Sequence, residues 1–327
     1  MTVQITVIGL GQIGTSIGLS LAKYPERIKR IGYDRALETQ NKAKGLGAFD
    51  AVKFNLPTAI EGADVVALCI PLDQVDETFR LIAPDLREDA VVLDFSSQKS
   101  AAHQWFEKRI PAGRHYIGLV PSVNPDALEQ TEYGIEAARP DLFEGATVGI
   151  AAPAGTSSQA LKLASDLVEL LGAQRIFLDM LEADGMTMTA HLLPQIISAA
   201  LLNATVGQPG WAEARRFAGR PFAQATAALG TDTLEALTQA LLHNPLGATS
   251  VLDNAIGALT HLRAAIEKGD QADLQKRLDM ALTDREKWLN ERLRADWGAS
   301  MEKPEPPKSG DILKRIFLGS RQKENKK

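Results

Sequence analysis

Six residues, Gly9-Leu10-Gly11-Gln12-Ile13-Gly14, constrain this chain more than any other feature. They follow an apolar run, Val3–Ile8, that reads as a strand, and they open a stretch to Leu21 that reads as a helix. Glycine spacing of this kind is common by itself; a strand before it and a helix after it make it a dinucleotide-binding fingerprint. Gly9 permits the tight turn, Gly11 lets the backbone approach a pyrophosphate, and Gly14 allows close strand–helix packing. The free N–H groups at the helix start, around Gln12 and Ile13, then face the phosphates with the positive end of the helix dipole.

Asp34 ends the next strand, 20 residues beyond Gly14. An acid there accepts hydrogen bonds from the ribose hydroxyls and repels a 2′-phosphate, so NAD is expected over NADP. Arg35 leaves an alternative open, since a neighbouring guanidinium can stack on adenine or pair with that phosphate. Ligands of a doubly wound sheet sit at strand carboxyl ends. Ile70-Pro71 and the segment Asp94–Lys99 occupy such ends, so Ile70 and Pro71 join the cofactor-site candidates. Ser97 there either bonds the nicotinamide amide or substrate, or caps the following helix, and Lys99 offers a charge to an anionic substrate.

The first half alternates apolar runs (3–8, 30–34, 64–70, 90–94, 115–120, 146–151 and 174–178) with helical patterns, the mark of a parallel sheet with crossover helices. From about Leu181 to Trp297 only helical periodicity remains. The expected fold is an α/β Rossmann-type doubly wound parallel sheet followed by an all-α domain. Its expected boundaries are 1–179 for the dinucleotide-binding domain, 180–299 for the helical one and 300–327 for a Pro-rich basic tail. Glu182 to Val206 reads as one long apolar helix kinked at Pro194. A helix apolar around most of its circumference must be buried, so a homodimer through the helical domain is expected. The tail joins a linker, 303–310, to a short amphipathic helix, 311–318. That segment either docks on its own domain or serves as a basic docking peptide for a partner or a membrane surface.

Composition removes several classes. One cysteine, Cys69, within an apolar run excludes a disulfide framework, fits a reducing compartment and reads as core packing. The five histidines are scattered, so no metal site is expected. The net charge of −5 argues against nucleic acid as a partner. The start of the chain carries no basic leader, and no uninterrupted apolar run reaches membrane length. A cytoplasmic protein without a membrane partner is the expectation.

Taken in order, these landmarks resemble the prephenate/arogenate dehydrogenase (TyrA-like) family. They run from Ile8–Ser16 through Gly32-Tyr33-Asp34, Gly47–Asp50, Ala63–Val66, Leu93–Lys99 and Leu142–Gly145 to Ala190–Gln195 and Asp284–Trp288. The resemblance implies an NAD-dependent oxidative decarboxylation of a cyclic carboxylate in tyrosine biosynthesis. A hydride leaves the ring carbon bearing the hydroxyl, carbon dioxide departs, and the ring becomes aromatic. A histidine of a His-Pro step after the sixth strand takes the hydroxyl proton in the family, and Val120-Pro121 stands at that step here. The family's second histidine aligns with Gln195 and its arginine falls near Thr226. Ser97 and Lys99 match the family's set. His191, one turn before Gln195, is the candidate replacement for the base, and Arg215, Arg216 and Arg220 are a candidate replacement clamp for a substrate carboxylate. Two other readings stay open: a different hydride transfer on the same scaffold, and a dinucleotide-binding pseudoenzyme.

Overall fold

A computed structural model describes residues 2–295 and Trp297; the tail expected at 300–327, with its linker and amphipathic helix, lies outside the described residues. The chain divides into two compact units. One holds residues up to Ile70, Gln74–Ala183 and the stretch from Leu289, and the other holds Pro71–Asp73 and Asp184–Trp288. The last helix therefore returns its final turns to the first unit, which a boundary read along the sequence does not reveal.

The first unit is an eight-stranded sheet. Its strands are β1 (Val3–Ile8), β2 (Ile28–Tyr33), β3 (Ala51–Val52), β4 (Val65–Leu68), β5 (Val91–Asp94), β6 (His115–Pro121), β7 (Thr147–Ala151) and β8 (Gln174–Leu178), in the order β3-β2-β1-β4-β5-β6-β7-β8. The helices between them are α1 (Gln12–Leu21), α2 (Leu37–Gly45), α3 (Leu56–Ile60), α4 (Val75–Ile82), α5 (Lys99–Arg109) and α6 (Ser158–Leu170).

Strands covered on both faces need apolar side chains at every position, and the two-residue period divides them cleanly. Ile5, Val7, Val65, Ala67, Val91 and Leu93 pack with Ile17 and Leu21 of α1 and Leu167 of α6. Ile8, Val66, Leu68 and Val92 pack on the other face with Leu56 and Ile60 of α3, Phe79 and Ile82 of α4 and Phe106 of α5. Thr6 is the polar intruder, and its buried hydroxyl donates to the Ala59 carbonyl at 2.7 Å.

Three features differ from the sequence expectation. β6 and β7 pair antiparallel, with Val120 opposite Gly149. A parallel return needs a crossover helix, and residues 122–146 hold only the 3₁₀ turns Pro125–Ala127 and Gly134–Ala137. β3 and α3 were too short to show periodicity; α3 is specified instead by its cap, with the Asn55 side chain accepting from Thr58 N at 3.0 Å.

The second unit is helical: the end of α7 (Met180–Thr187), a π-helical turn at Met188–Leu192, α8 (Leu193–Thr205), α9 (Trp211–Ala214), α10 (Arg220–Ala227), α11 (Leu234–His243), α12 (Pro245–Lys268) and most of α13 (Gln271–Arg294). Met180–Thr205 is the expected single long helix, and the π turn at Met188–Leu192 lies in it directly before Pro194, the residue that cannot supply an N–H to a regular helical turn. Gly269, in the left-handed region at φ +66°, closes α12 as expected. By length and composition Met180–Thr205 could span a membrane, although Glu182, Asp184 and Gln195 interrupt its apolar run, and 28% of its most apolar window is buried within this chain.

Candidate dinucleotide site

The three fingerprint glycines are required for three different reasons. Gly9 has φ +90°, and a Cβ there would enter the Cys69 carbonyl and lie 2.8 Å from the Ile70 Cγ2. A Cβ on Gly14 would penetrate the Gly9 carbonyl and meet the Val7 Cγ1 at 2.9 Å. A Cβ on Gly11 would meet nothing within 4 Å. Gly9 and Gly14 therefore hold β1, β4 and α1 together, and Gly11 borders open space. Gly11 is also the N-cap of α1, with no side chain capping the helix and no acid in its first turn. The N–H groups of Gln12 and Ile13 thus keep their donor capacity toward that space, which suits a pyrophosphate.

Asp34 closes the loop from the β2 side. One carboxylate oxygen accepts from Leu10 N at 2.8 Å and the other from Ala36 N at 2.8 Å. A carboxylate offers about four lone-pair sites, so Asp34 can pin the loop and still accept a ribose hydroxyl. Arg35 is exposed beside it. Ile70 packs against the Gly9 turn; Pro71, half-buried, begins the short link that groups with the second unit.

The end of β5 is built around a buried charge network. Asp94 is 0% exposed and accepts from Ser96 N at 2.9 Å, Ser96 Oγ at 3.0 Å and the Tyr116 hydroxyl at 2.8 Å. The Lys99 ammonium donates to the carbonyls of Asp94 at 2.9 Å and Ser96 at 2.5 Å and lies 3.7 Å from the Asp94 carboxylate. Lys99 is 1% exposed. It cannot meet an anionic substrate in this conformation; its charge holds the 94–98 loop, and its stem fills the space that Gly118 leaves. Ser97, by contrast, is half-buried, makes no side-chain hydrogen bond among the described residues and does not cap α5, whose N-cap is Gln98. Its hydroxyl remains available at the carboxyl edge of the sheet.

Burial, with the nearby Asp94 charge adding to it, pushes the Cys69 thiol well above its ordinary range, as a packing cysteine rather than a nucleophile requires. No metal-binding group of His, Cys, Asp and Glu is found among the described residues.

In the helical unit His191 and Gln195, expected one turn apart on one helix, differ in burial. A π turn inserts a residue into the helical phase, leaving the His191 side chain exposed while Gln195 is 2% exposed. The Gln195 amide donates to the His191 carbonyl and to the Asp232 carboxylate, each at 3.2 Å, so it serves the fold of its own unit. Arg215, Arg216 and Arg220 are all exposed on or beside α9 and α10, and Arg215 bonds the Ala212 carbonyl. Within the described chain no carboxylate pairs with them, and they form no built clamp.

Sequence reasoning missed the strap that follows β6. The Gln12 amide donates toward the Ala137 carbonyl at 3.3 Å, Arg139 N donates to Ser16 Oγ at 3.0 Å, and Lys42 pairs with Glu136 at 2.5 Å. These bonds lay residues 130–139 along α1 and α2. The Asn124-Pro125-Asp126 turn, with Asn124 accepting from Asp126 N at 3.0 Å, was its only legible signal.

Strand order, glycine cradle and ribose-side acid define the first unit as a Rossmann-type dinucleotide-binding domain. Residues 17–177 match the family described as prephenate dehydrogenase, nucleotide-binding domain. A cyclohexadienyl dehydrogenase of Zymomonas mobilis is 28% identical over 270 residues, 82% of this chain and 89% of that protein. A prephenate dehydrogenase of Bacillus subtilis is 24% identical over 272 residues, 83% of this chain and 72% of that protein. Among solved structures, prephenate dehydrogenase from Aquifex aeolicus, in complex with hydroxyphenyl propionate and NAD+, superposes with a TM-score of 0.75 at 22% identity, over 88% of this chain and 98% of that one. This last likeness establishes a shared fold.

Proposed function

We propose that the chain is an NAD-dependent dehydrogenase of the prephenate/arogenate type, oxidising the CH–OH carbon of a small cyclic carboxylate with loss of carbon dioxide. The observation that carries this reading is the uncapped start of α1 facing the open space beside Gly11, with Asp34 posted at the ribose side. NAD, when bound, supplies the hydride acceptor. The chain's own part is to hold the pyrophosphate on the amides of Gly11, Gln12 and Ile13, select the ribose with Asp34, and present Ser97 at the strand edge. The relatives' names support the substrate class. Prephenate and arogenate, each offered with NAD to the purified protein, should raise absorbance at 340 nm. Intact NAD binding without turnover of either would remove the enzymatic reading.

One observation favours a second reading. Val120, at the position the resemblance assigns to the proton-accepting histidine, is next to last in β6, half-buried, and has no proton-accepting atom. A dinucleotide-binding protein without this oxidation predicts NAD binding alone, and the same assay separates the two.

We also place the protein in a reducing compartment as a homodimer. The lone Cys69 supports the first, and the largely uncovered apolar surface of Met180–Thr205 supports the second. Light scattering at micromolar concentration gives the mass directly, and a monomer would refute the dimer.

A further inference from the structure

Arg292 lies near the end of α13, on the stretch that groups with the sheet. It is 5% exposed. A guanidinium carries five N–H donors and keeps its charge at neutral pH. Here one terminal nitrogen donates to the Val123 carbonyl, and the other, Nη1, is buried with no acceptor. No carboxylate among the described residues pairs with it, and burial lowers its pKa with no anion to offset the cost. The Trp297 ring lies beside it, 5.9 Å from the guanidinium carbon to the ring centroid, and the indole Nε1–H is likewise buried without an acceptor. Buried donors left unmet, and buried cations left unpaired, are unfavourable and rare in folded proteins. Here two such unmet donors sit on neighbouring side chains, one of them charged.

The position of this pair gives it meaning. Val123 lies two residues beyond β6, which runs parallel to β5, so Arg292 meets the carboxyl edge of the sheet. The same edge carries the glycine loop and Ser97, and ligands of open α/β sheets bind along it.

We infer that Arg292 and Trp297 form a carboxylate-binding site for a small organic acid, with Arg292 supplying the charge and Trp297 a second N–H. Val123 fixes the guanidinium fork by occupying one nitrogen and leaves the other for the ligand. A carboxylate matches such a fork in geometry and charge. The pair binds and orients; neither residue takes part in proton or hydride transfer. The inference rests on the proposed dehydrogenase reading for the acid's being the substrate, but the binding claim stands without turnover.

The test uses the full chain saturated with NAD and two calorimetric probes, hydroxyphenylpropionate and its neutral amide. The wild type should bind the acid at least tenfold more tightly than the amide. Arg292→Met should abolish that preference, Arg292→Lys should keep part of it, and NAD affinity should change less than twofold in both. Because methionine removes an unpaired buried charge, Arg292→Met should melt no lower than the wild type. Equal binding of acid and amide by the wild type, no binding of the acid, a preference that survives Arg292→Met, or a clearly lower melting temperature would each overturn the inference. If prephenate and arogenate are not turned over while the Arg292-dependent preference persists, the dehydrogenase reading fails alone. If Arg292→Met turns substrate over at unchanged KM, the inference fails alone.

Discussion

Replacing Lys99 with methionine distinguishes a structural lysine from one that recruits substrate. The ammonium sits 3.7 Å from the Asp94 carboxylate, both side chains at most 1% exposed. At an effective dielectric of about 20, two unit charges at that separation interact by about 4.5 kcal/mol. The substitution also strips the carbonyls of Asp94 and Ser96 of their donor, while Asp94 keeps three others from Ser96 and Tyr116. Breaking a buried pair by removing one partner costs about 3–5 kcal/mol, and the retained donors point to the lower part of that range. Denaturant unfolding of wild type, Lys99→Met, Asp94→Asn and the double variant gives the cycle. The expected result is a loss of about 3 kcal/mol for Lys99→Met and a coupling of at least about 1 kcal/mol with Asp94. A variant that unfolds like the wild type but shows a raised KM for an anionic substrate would refute the buried-network argument and return Lys99 to the binding site.

The glycine loop separates folding from binding. Gly14→Ala drives a methyl into the Gly9 carbonyl and should cost about 1–3 kcal/mol as well as NAD affinity. Gly11→Ala points into open space and should leave stability within about 0.5 kcal/mol while weakening NAD at least about tenfold by calorimetry. Equal effects from the two would contradict the geometry. Asp34→Asn keeps an acceptor for Leu10 N but removes the charge, so the ratio of NADP to NAD dissociation constants should fall by about tenfold or more; an unchanged ratio would release Asp34 from cofactor selection. The Arg109 guanidinium donates to both oxygens of Asp76 at 2.8 and 2.6 Å and holds that carboxyl below its usual range, with burial opposing. A depressed carboxylate stabilises the fold above its unfolded pKa, about 3.9, and loses that contribution as pH falls through the lower folded value. The stability gap between wild type and Arg109→Gln should therefore be present at pH 6 and close in acid, and a gap independent of pH would count against the pair.

Much of the nucleotide half was legible because its signals are local. β1, the glycine spacing and α1 are contiguous, and Asp34 follows at a distance that one strand and one helix dictate. Continuous apolar strands announced a sheet covered on both faces. The helical half was legible only as helices, since periodicity reports that a face is apolar without naming what covers it.

Residue types and their order along the chain determined the Rossmann unit, its cofactor loop and the helical second half, because backbone propensity and side-chain period act over neighbours in sequence. Only the tertiary structure decided that Lys99 turns inward, that His191 falls in a π turn and is exposed while Gln195 is buried, that β7 runs against β6, and that Arg292 returns from the far end of the chain to the sheet edge. Each of these depends on which distant group fills a space or offers an acceptor, and in the linear sequence those partners lie up to 169 residues apart.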